Sequence, residues 1–148
     1  MPFFIAAAAF AIDRFAKIAA LKLLDPGESV SAIPGFLSIT LVLNDGAAFG
    51  LFRGRSAFFV LIALAVIIAI TAYLIKSRPS DRAISAGLGL ILGGALGNLA
   101  DRMVFGRVID FIDLGFWPVF NIADSCITIG AAVLIFAVFL SKKSKQKI

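Results

Sequence analysis

The stretch SAFFVLIALAVIIAITAYLI, residues 56–75, runs for twenty positions without one charged side chain. A helix crossing a bilayer core of about 30 Å needs about 20 residues at roughly 1.5 Å rise each. This segment meets that length, and two others come close. Ala83 to Ala100 carries no charge over 18 residues, and Leu114 to Ser141 holds only Asp124. The composition agrees: of the 148 residues 61% are hydrophobic and 16% charged, against about 45–50% and roughly 25% in a soluble domain. Such a chain lacks the polar surface to cover itself in water. It is a membrane protein.

The N-terminal segment is less apolar. Met1 to Ile12 is oily, but Asp13, Arg14, Lys17 and Lys22 follow before Asp25-Pro26-Gly27 ends the run. A cleaved signal peptide is the competing interpretation. No basic region precedes the apolar stretch, however, and ionisable residues occupy the place of a cleavage site. Asp13 and Lys17 are four apart, so on a helix they share a face and can neutralise each other. Residues 2–24 are therefore expected to form a first transmembrane helix with its polar groups turned inward. The expected architecture is one integral membrane domain over 1–148. It is mainly α, a four-transmembrane-helix bundle with spans near 2–24, 56–76, 83–104 and 117–140.

The net charge of +5 gathers at segment ends. Lys76, Arg78 and Arg82 flank the second connection, and Lys142, Lys143, Lys145 and Lys147 form the tail. The positive-inside rule puts both on the cytoplasmic side, with both termini. Basic residues so placed argue for orientation and contact with membrane lipids, and against nucleic acid. Residues 25–55, with a β-region over 28–55, and the stretch near 103–116 then face outward. In the first, Ile33-Pro34-Gly35 predicts a turn, and Leu37, Ile39, Leu41 and Leu43 alternate with Ser38, Thr40 and Val42 as in a strand. Asn44-Asp45-Gly46 has hairpin chemistry, and Ala47 to Phe52 resumes the apolar character. A small extracytoplasmic β-sheet with one oily face is expected, either a plain connector or a cradle for a lipid-borne substrate. Gly89, Gly93 and Gly97 make a small-residue stripe that permits close helix approach.

Chemistry is concentrated in acidic and amide side chains. With no histidine, Ser-His-Asp, Cys-His and most zinc chemistry is excluded, and neither a metal nor a cofactor is expected. The lone Cys126 forms no internal disulfide. Ionisable groups inside a membrane cost at least about 2.5–3.5 kcal/mol each, so they mark function by default. Asn98, Asp101 and Arg102 share a stripe at the outer end of the third span. Asn121 and Asp124 lie near the start of the fourth, with Pro118 in its first turn and Asp124 about 9 Å further down the helix. Asp110 lies on the link between them, and Asp113 on the loop. Two carboxylates held close cannot both ionise, and such a pair can activate water as aspartic proteases do. A structural ion-pair network and a small proton-coupled transporter are the alternatives. Arg102 can pair with Asp101 or donate to a carbonyl oxygen. Spacing favours Asp110 with Asp124 as the dyad without settling it.

The chain resembles the lipoprotein signal peptidases, or signal peptidase II, of bacteria. The resemblance rests on Asp13-Arg14-Phe15-Ala16-Lys17, Asn44 to Gly50, Gly94 to Arg102, Gly106 to Ile112 and Phe120 to Ser125, in the right order along nearly the whole chain. It implies an aspartic endopeptidase of the bacterial cytoplasmic (inner) membrane, with its active site toward the outer side. Such an enzyme cleaves diacylglyceryl-modified prolipoproteins just before the lipidated cysteine and is inhibited by globomycin-type compounds. It also implies that Asp110 and Asp124 are catalytic and that Asn44 and Arg102 contact substrate. Asp13, Lys17, Gly46, Asn98, Asp101 and Asn121 correspond to site-supporting positions. A monomer is expected.

Overall fold

In a computed structural model, residues 1–46 and 54–145 are described, the last six as backbone alone. Four long helices, α1 (Pro2–Leu23), α2 (Ser56–Ser77), α3 (Arg82–Phe105) and α4 (Ile122–Lys145), accompany three strands, β1 (Ser29–Ile33), β2 (Leu37–Asn44) and β3 (Val108–Asp113). Three helical stretches are long and apolar enough to cross a membrane, Ser56–Ser77, Arg82–Phe105 and Ile122–Phe139. The expected fourth, α1, does not meet that standard of composition, because Asp13, Arg14 and Lys17 interrupt it.

Helix α3 is the centre of the bundle, and α1, α2 and α4 all pack on it. Its glycines divide between two neighbours. Gly89, Gly93 and Gly97 recur every four residues and face α1, where a Cβ on Gly93 would stand 2.5 Å from the Ala6 carbonyl oxygen and 2.7 Å from Ala9 Cβ. Gly87 and Gly94, seven apart, face α4 instead, with Gly130 opposite Gly87. In hydrocarbon no hydrophobic force draws helices together, so association rests on this close contact. Helix α2 has little of it, and among its described residues only Leu74 is buried.

Both ends of α3 are terminated by specific contacts. The Asp81 carboxylate accepts from the Ala83 and Ile84 amides at 2.7 and 3.1 Å, capping the start. Gly106 adopts a left-handed φ of 69°, donates its N–H to the Arg102 carbonyl and turns the chain into β3. The sheet is antiparallel in the order β1-β2-β3. The expected turn closes β1 onto β2, with the Phe36 amide donating to the Ile33 carbonyl.

Several details depart from expectation. Asp110 sits on strand β3, where a bare link was expected, paired across to Val42. Helix α4 starts at Ile122 and not near 117, leaving Pro118 outside it. The physical reason is that Phe120 exchanges backbone hydrogen bonds with Ile112 at 2.8 and 3.0 Å, so it is held in β geometry. Asp124 consequently lies in the first turn of α4, where a deeper position was expected. The Asn44 side chain accepts from the Gly46 amide at 3.0 Å and ends β2. The expected apolar continuation over 47–52 lies outside the described residues. The oily sheet face does not lie open as a cradle. Leu41, Ile109 and Phe111 cluster with Ala20 of α1 and are core.

Gly93→Ala and Gly94→Ala should each destabilise the fold by about 1–3 kcal/mol, since backbone atoms stand where the new methyl would go. Thermal unfolding in detergent micelles reads this out. An unchanged midpoint would mean that the helices part without cost.

Candidate active site

Four elements meet where α3 ends and α4 begins. Asn121 precedes α4 and acts as its cap: the Asp124 amide donates to its Oδ1 at 2.8 Å, and the Asn121 amide donates back to Asp124 Oδ2 at 3.3 Å. This reciprocal cap fixes the Asp124 carboxylate over the helix start. The same Asn121 side chain donates through Nδ2 to Asp110 Oδ1 at 2.6 Å and to Asn98 Oδ1 at 3.2 Å. One amide thus ties α4, β3 and α3 together.

Each aspartate is held by neutral donors. Asp110 accepts from Asn44 Nδ2 at 2.8 Å on its second oxygen, and Asp124 Oδ1 accepts from Asn98 Nδ2 at 2.7 Å. Residues 42 and 44 share one face of β2, and 108 and 110 the matching face of β3, so the register brings Asn44 beside Asp110. Asp113 is three positions from Asp110 and points to the other face, where Thr40 and the Gly115 amide satisfy it. It takes no part in the site. Burial lifts the Asp110 carboxyl from the ordinary 3.8 to about 6; the Asn44 amide opposes this, and the neighbouring Asp124 carboxylate adds to it.

Beneath these groups lies a buried charge cluster. Lys17 Nζ stands 2.9 Å from Asp13 Oδ2, 2.7 Å from Asp101 Oδ2 and 3.0 Å from Asn98 Oδ1. Arg14 pairs with the other oxygen of Asp101. Asp13, Lys17 and Asp101 are wholly buried, and two cations balance two anions. The carboxylates also anchor backbone, Asp13 at the Ala123 amide (2.9 Å) and Asp101 at the Ile109 amide (3.2 Å). Asp101 therefore belongs to Arg14 and Lys17, and the sequence-adjacent Arg102 goes elsewhere. Successive helical residues point about 100° apart.

Arg102 lines a cavity of about 330 Å³ together with Asn44, Asn98, Asp110 and Asp124. Its guanidinium lies 5.0 Å from the Phe59 ring centroid and donates to the Gly46 carbonyl at 3.4 Å. Among the described residues it forms no ion pair, so the cavity retains a cation with hydrogen-bonding capacity. Every expected site residue falls in this cavity, its amide frame or the cluster beneath. Arg14, Phe59 and Trp117, which also borders the cavity, were not singled out. Arg14 lies three residues before Lys17, a spacing that marks a shared helix face, whereas nothing local marks Phe59.

Comparison with known proteins assigns the family. The model for signal peptidase (SPase) II matches residues 5–140. The chain belongs to the signal peptidase II family. The lipoprotein signal peptidase of Syntrophomonas wolfei is 50% identical over 137 residues, covering 92% of this chain and 91% of that one. That of Pelotomaculum thermopropionicum is 41% identical over 146 residues, 98% and 96% of the two chains. A bacterial membrane enzyme solved by the in meso method at 2.3 Å resolution superposes with a TM-score of 0.91 at 35% identity, covering 97% of this chain and 90% of its own. The family is that of an aspartic-type signal peptidase, and it places the cavity's carboxylates in a hydrolase and not in a transporter.

The raised Asp110 value has a signed consequence. Between 3.8 and about 6 the folded protein holds a proton that the unfolded chain has released, so this group's contribution to stability declines with rising pH across that window. Infrared difference spectroscopy should show a protonated-carboxyl band present at acid pH, titrating away near 6 and missing in Asp110→Asn. A midpoint near 3.8 would mean that the site is far wetter than its burial implies.

Proposed function

We propose that this membrane protein is an intramembrane aspartic endopeptidase that removes the signal peptide from diacylglyceryl-modified prolipoproteins, cutting just before the lipidated cysteine. The observation that carries the proposal is a pair of carboxylates, Asp110 and Asp124, from different elements, lining one cavity and held by neutral amides. Its volume of about 330 Å³ is at the low end of the roughly 300–1,000 Å³ of small-ligand sites, enough for a peptide bond and its flanks. Family membership and the names of the relatives support the same substrate class.

One aspartate, ionised, takes a proton from a water whose oxygen attacks the scissile carbonyl. The other, protonated, donates to the carbonyl oxygen, giving a gem-diol without an acyl-enzyme. Collapse breaks the C–N bond, and a proton passes to the leaving amine of the lipidated cysteine. A coupled pair titrates as a unit, so both roles belong to the dyad. Asn44 and Arg102 are the substrate contacts in this scheme, with Arg102 poised to donate to a peptide carbonyl as it does to that of Gly46. Asn98, Asn121, Asp13, Lys17, Asp101 and Gly46 hold the frame.

The proposed setting is a single domain with four crossings of the bacterial cytoplasmic membrane and a sheet on the outer side. Although α1 carries charges, Asp13 and Lys17 are fully buried against each other and Asp101, which lowers the cost of a fourth span. The basic residues Lys76, Arg78 and Arg82 lie at the end of the bundle opposite the aspartates, which supports cytoplasmic termini and an outward-facing site. The working unit is a monomer, inhibited by globomycin-type compounds.

Incubating the purified protein with a diacylglyceryl-modified precursor should release a product of mature size, and globomycin should block it. Asp110→Asn or Asp124→Asn should lower the rate by about 10²–10⁴-fold or more while leaving the fold intact. Processing at the original rate by either variant would falsify the dyad. Arg102→Lys keeps the charge but loses the planar fork, and should cut turnover about tenfold. Unchanged kinetics would reduce Arg102 to a partner of Phe59 and Gly46.

A further inference from the structure

At the far end of the bundle from the aspartates lies a second cavity, of about 440 Å³. It is lined by the cationic Arg78 and Arg82 and by the apolar Phe3, Leu74 and Ile75. Helices α1 and α2 both rest on α3 but scarcely touch each other, so the cavity opens into the cleft between them. Neither arginine forms an ion pair among the described residues. Charge is gathered here without an internal partner, beside a wall of apolar side chains.

The connecting loop is built rather than slack. Ser85, which lines the cavity and is 5% exposed, donates its hydroxyl to the Pro79 carbonyl at 3.1 Å. Asp81 is the nearest carboxylate in sequence, but its Oδ1 is committed to the Ala83 and Ile84 amides. Arg78 adopts φ 41° and ψ 61°, the left-handed region that non-glycine residues rarely enter. These contacts fix where the two guanidiniums start. They also occupy the Ala83 and Ile84 amides of α3, which leaves the two guanidiniums as the side-chain cations lining the cavity.

We infer that this cavity binds the headgroup of an acidic glycerophospholipid from the leaflet opposite the active site, the phosphodiester on Arg78 and Arg82 and the acyl chains over Phe3 and Ile75. Cationic and apolar side chains lining one cavity match the two ends of such a lipid. Guanidinium forks suit phosphate oxygens, and basic pockets between membrane helices select acidic headgroups. The inference needs only that the chain is embedded in a membrane, and it stands apart from the peptidase proposal.

Native mass spectrometry of the purified full chain in neutral detergent, titrated with phosphatidylglycerol or phosphatidylcholine, tests it. One phosphatidylglycerol should survive on the protein, with phosphatidylcholine held far less. Arg78→Gln and Arg82→Gln should each weaken retention about tenfold. Lys76→Gln removes an equal charge next to the cavity without lining it, and should change retention less than about twofold, because a neutral micelle has no charged surface to attract. All three variants should unfold in detergent at the temperature of the unaltered chain, which shows that they fold. Equal loss in Lys76→Gln, equal retention of phosphatidylcholine, or undiminished retention in both arginine variants would each overturn the assignment. Displacement by millimolar inorganic phosphate would overturn it too, identifying a site for free anions.

Discussion

Lys17 is the group on which the site depends. Its ammonium sits without solvent contact among Asp13, Asp101 and the Asn98 oxygen. Removing one partner of a buried ion pair costs about 3–5 kcal/mol, because the remaining charge is left uncompensated. Without Lys17, Asp13 would be stranded and Asp101 left with Arg14 alone, and each carboxylate also secures a backbone amide, at Ala123 of α4 and Ile109 of β3. The cluster therefore does more than balance charge. It locks the start of α4 and the start of β3 against α1 and α3, and those are the two elements that carry Asp124 and Asp110.

The glycines of α3 make that lock reachable. A Cβ at Gly97 would stand 2.5 Å from Asp13 Oδ2, so only a residue without a side chain lets α1 bring its carboxylate to the Ala123 amide. Small-residue packing and buried charge are thus one device. The glycines bring the backbones close, and the closeness shortens the ion pairs, which offsets part of their desolvation. Neither works alone: glycines without the charge cluster would leave α1 free to slide, and without the glycines Lys17 would stay too far from Asp101 to pair across the helices.

Much of this was legible in the sequence, for identifiable reasons. Charge-free runs declare α2 and α3 because the bilayer imposes a length, and the alternation from Leu37 to Leu43 declares β2 because a strand has two faces. The four-residue spacing of Asp13 and Lys17 gave their pairing directly. What stayed hidden depended on contacts remote in sequence. Val108 to Asp113 becomes a strand because β2 lies beside it, and α4 starts late because Phe120 is held by Ile112. Arg102 beside Asp101 suggested a pair, yet helical geometry turns them apart and a cation from α1 takes the carboxylate. The oily sheet face, open by pattern, is covered by the end of α1. Propensity reports on neighbours along the chain, and these outcomes were decided across it.

In the proposed mechanism, placing asparagine between the cations and the dyad has a chemical reason. Lys17 reaches the aspartates only through Asn98, whose oxygen accepts from the ammonium and whose amide donates to Asp124. A cation in direct contact with either aspartate would favour its ionised form and work against the proton that the pair must keep for the carbonyl oxygen. An apolar lining would err the other way, leaving both carboxyls neutral and no base for water. Amides orient the carboxylates and donate to them without adding a full charge, so they oppose a shared proton less than a direct cation would. The same logic explains why the cations sit below the dyad while Arg102 stands across the cavity: there it can meet charge that develops on the substrate, without permanently claiming either aspartate.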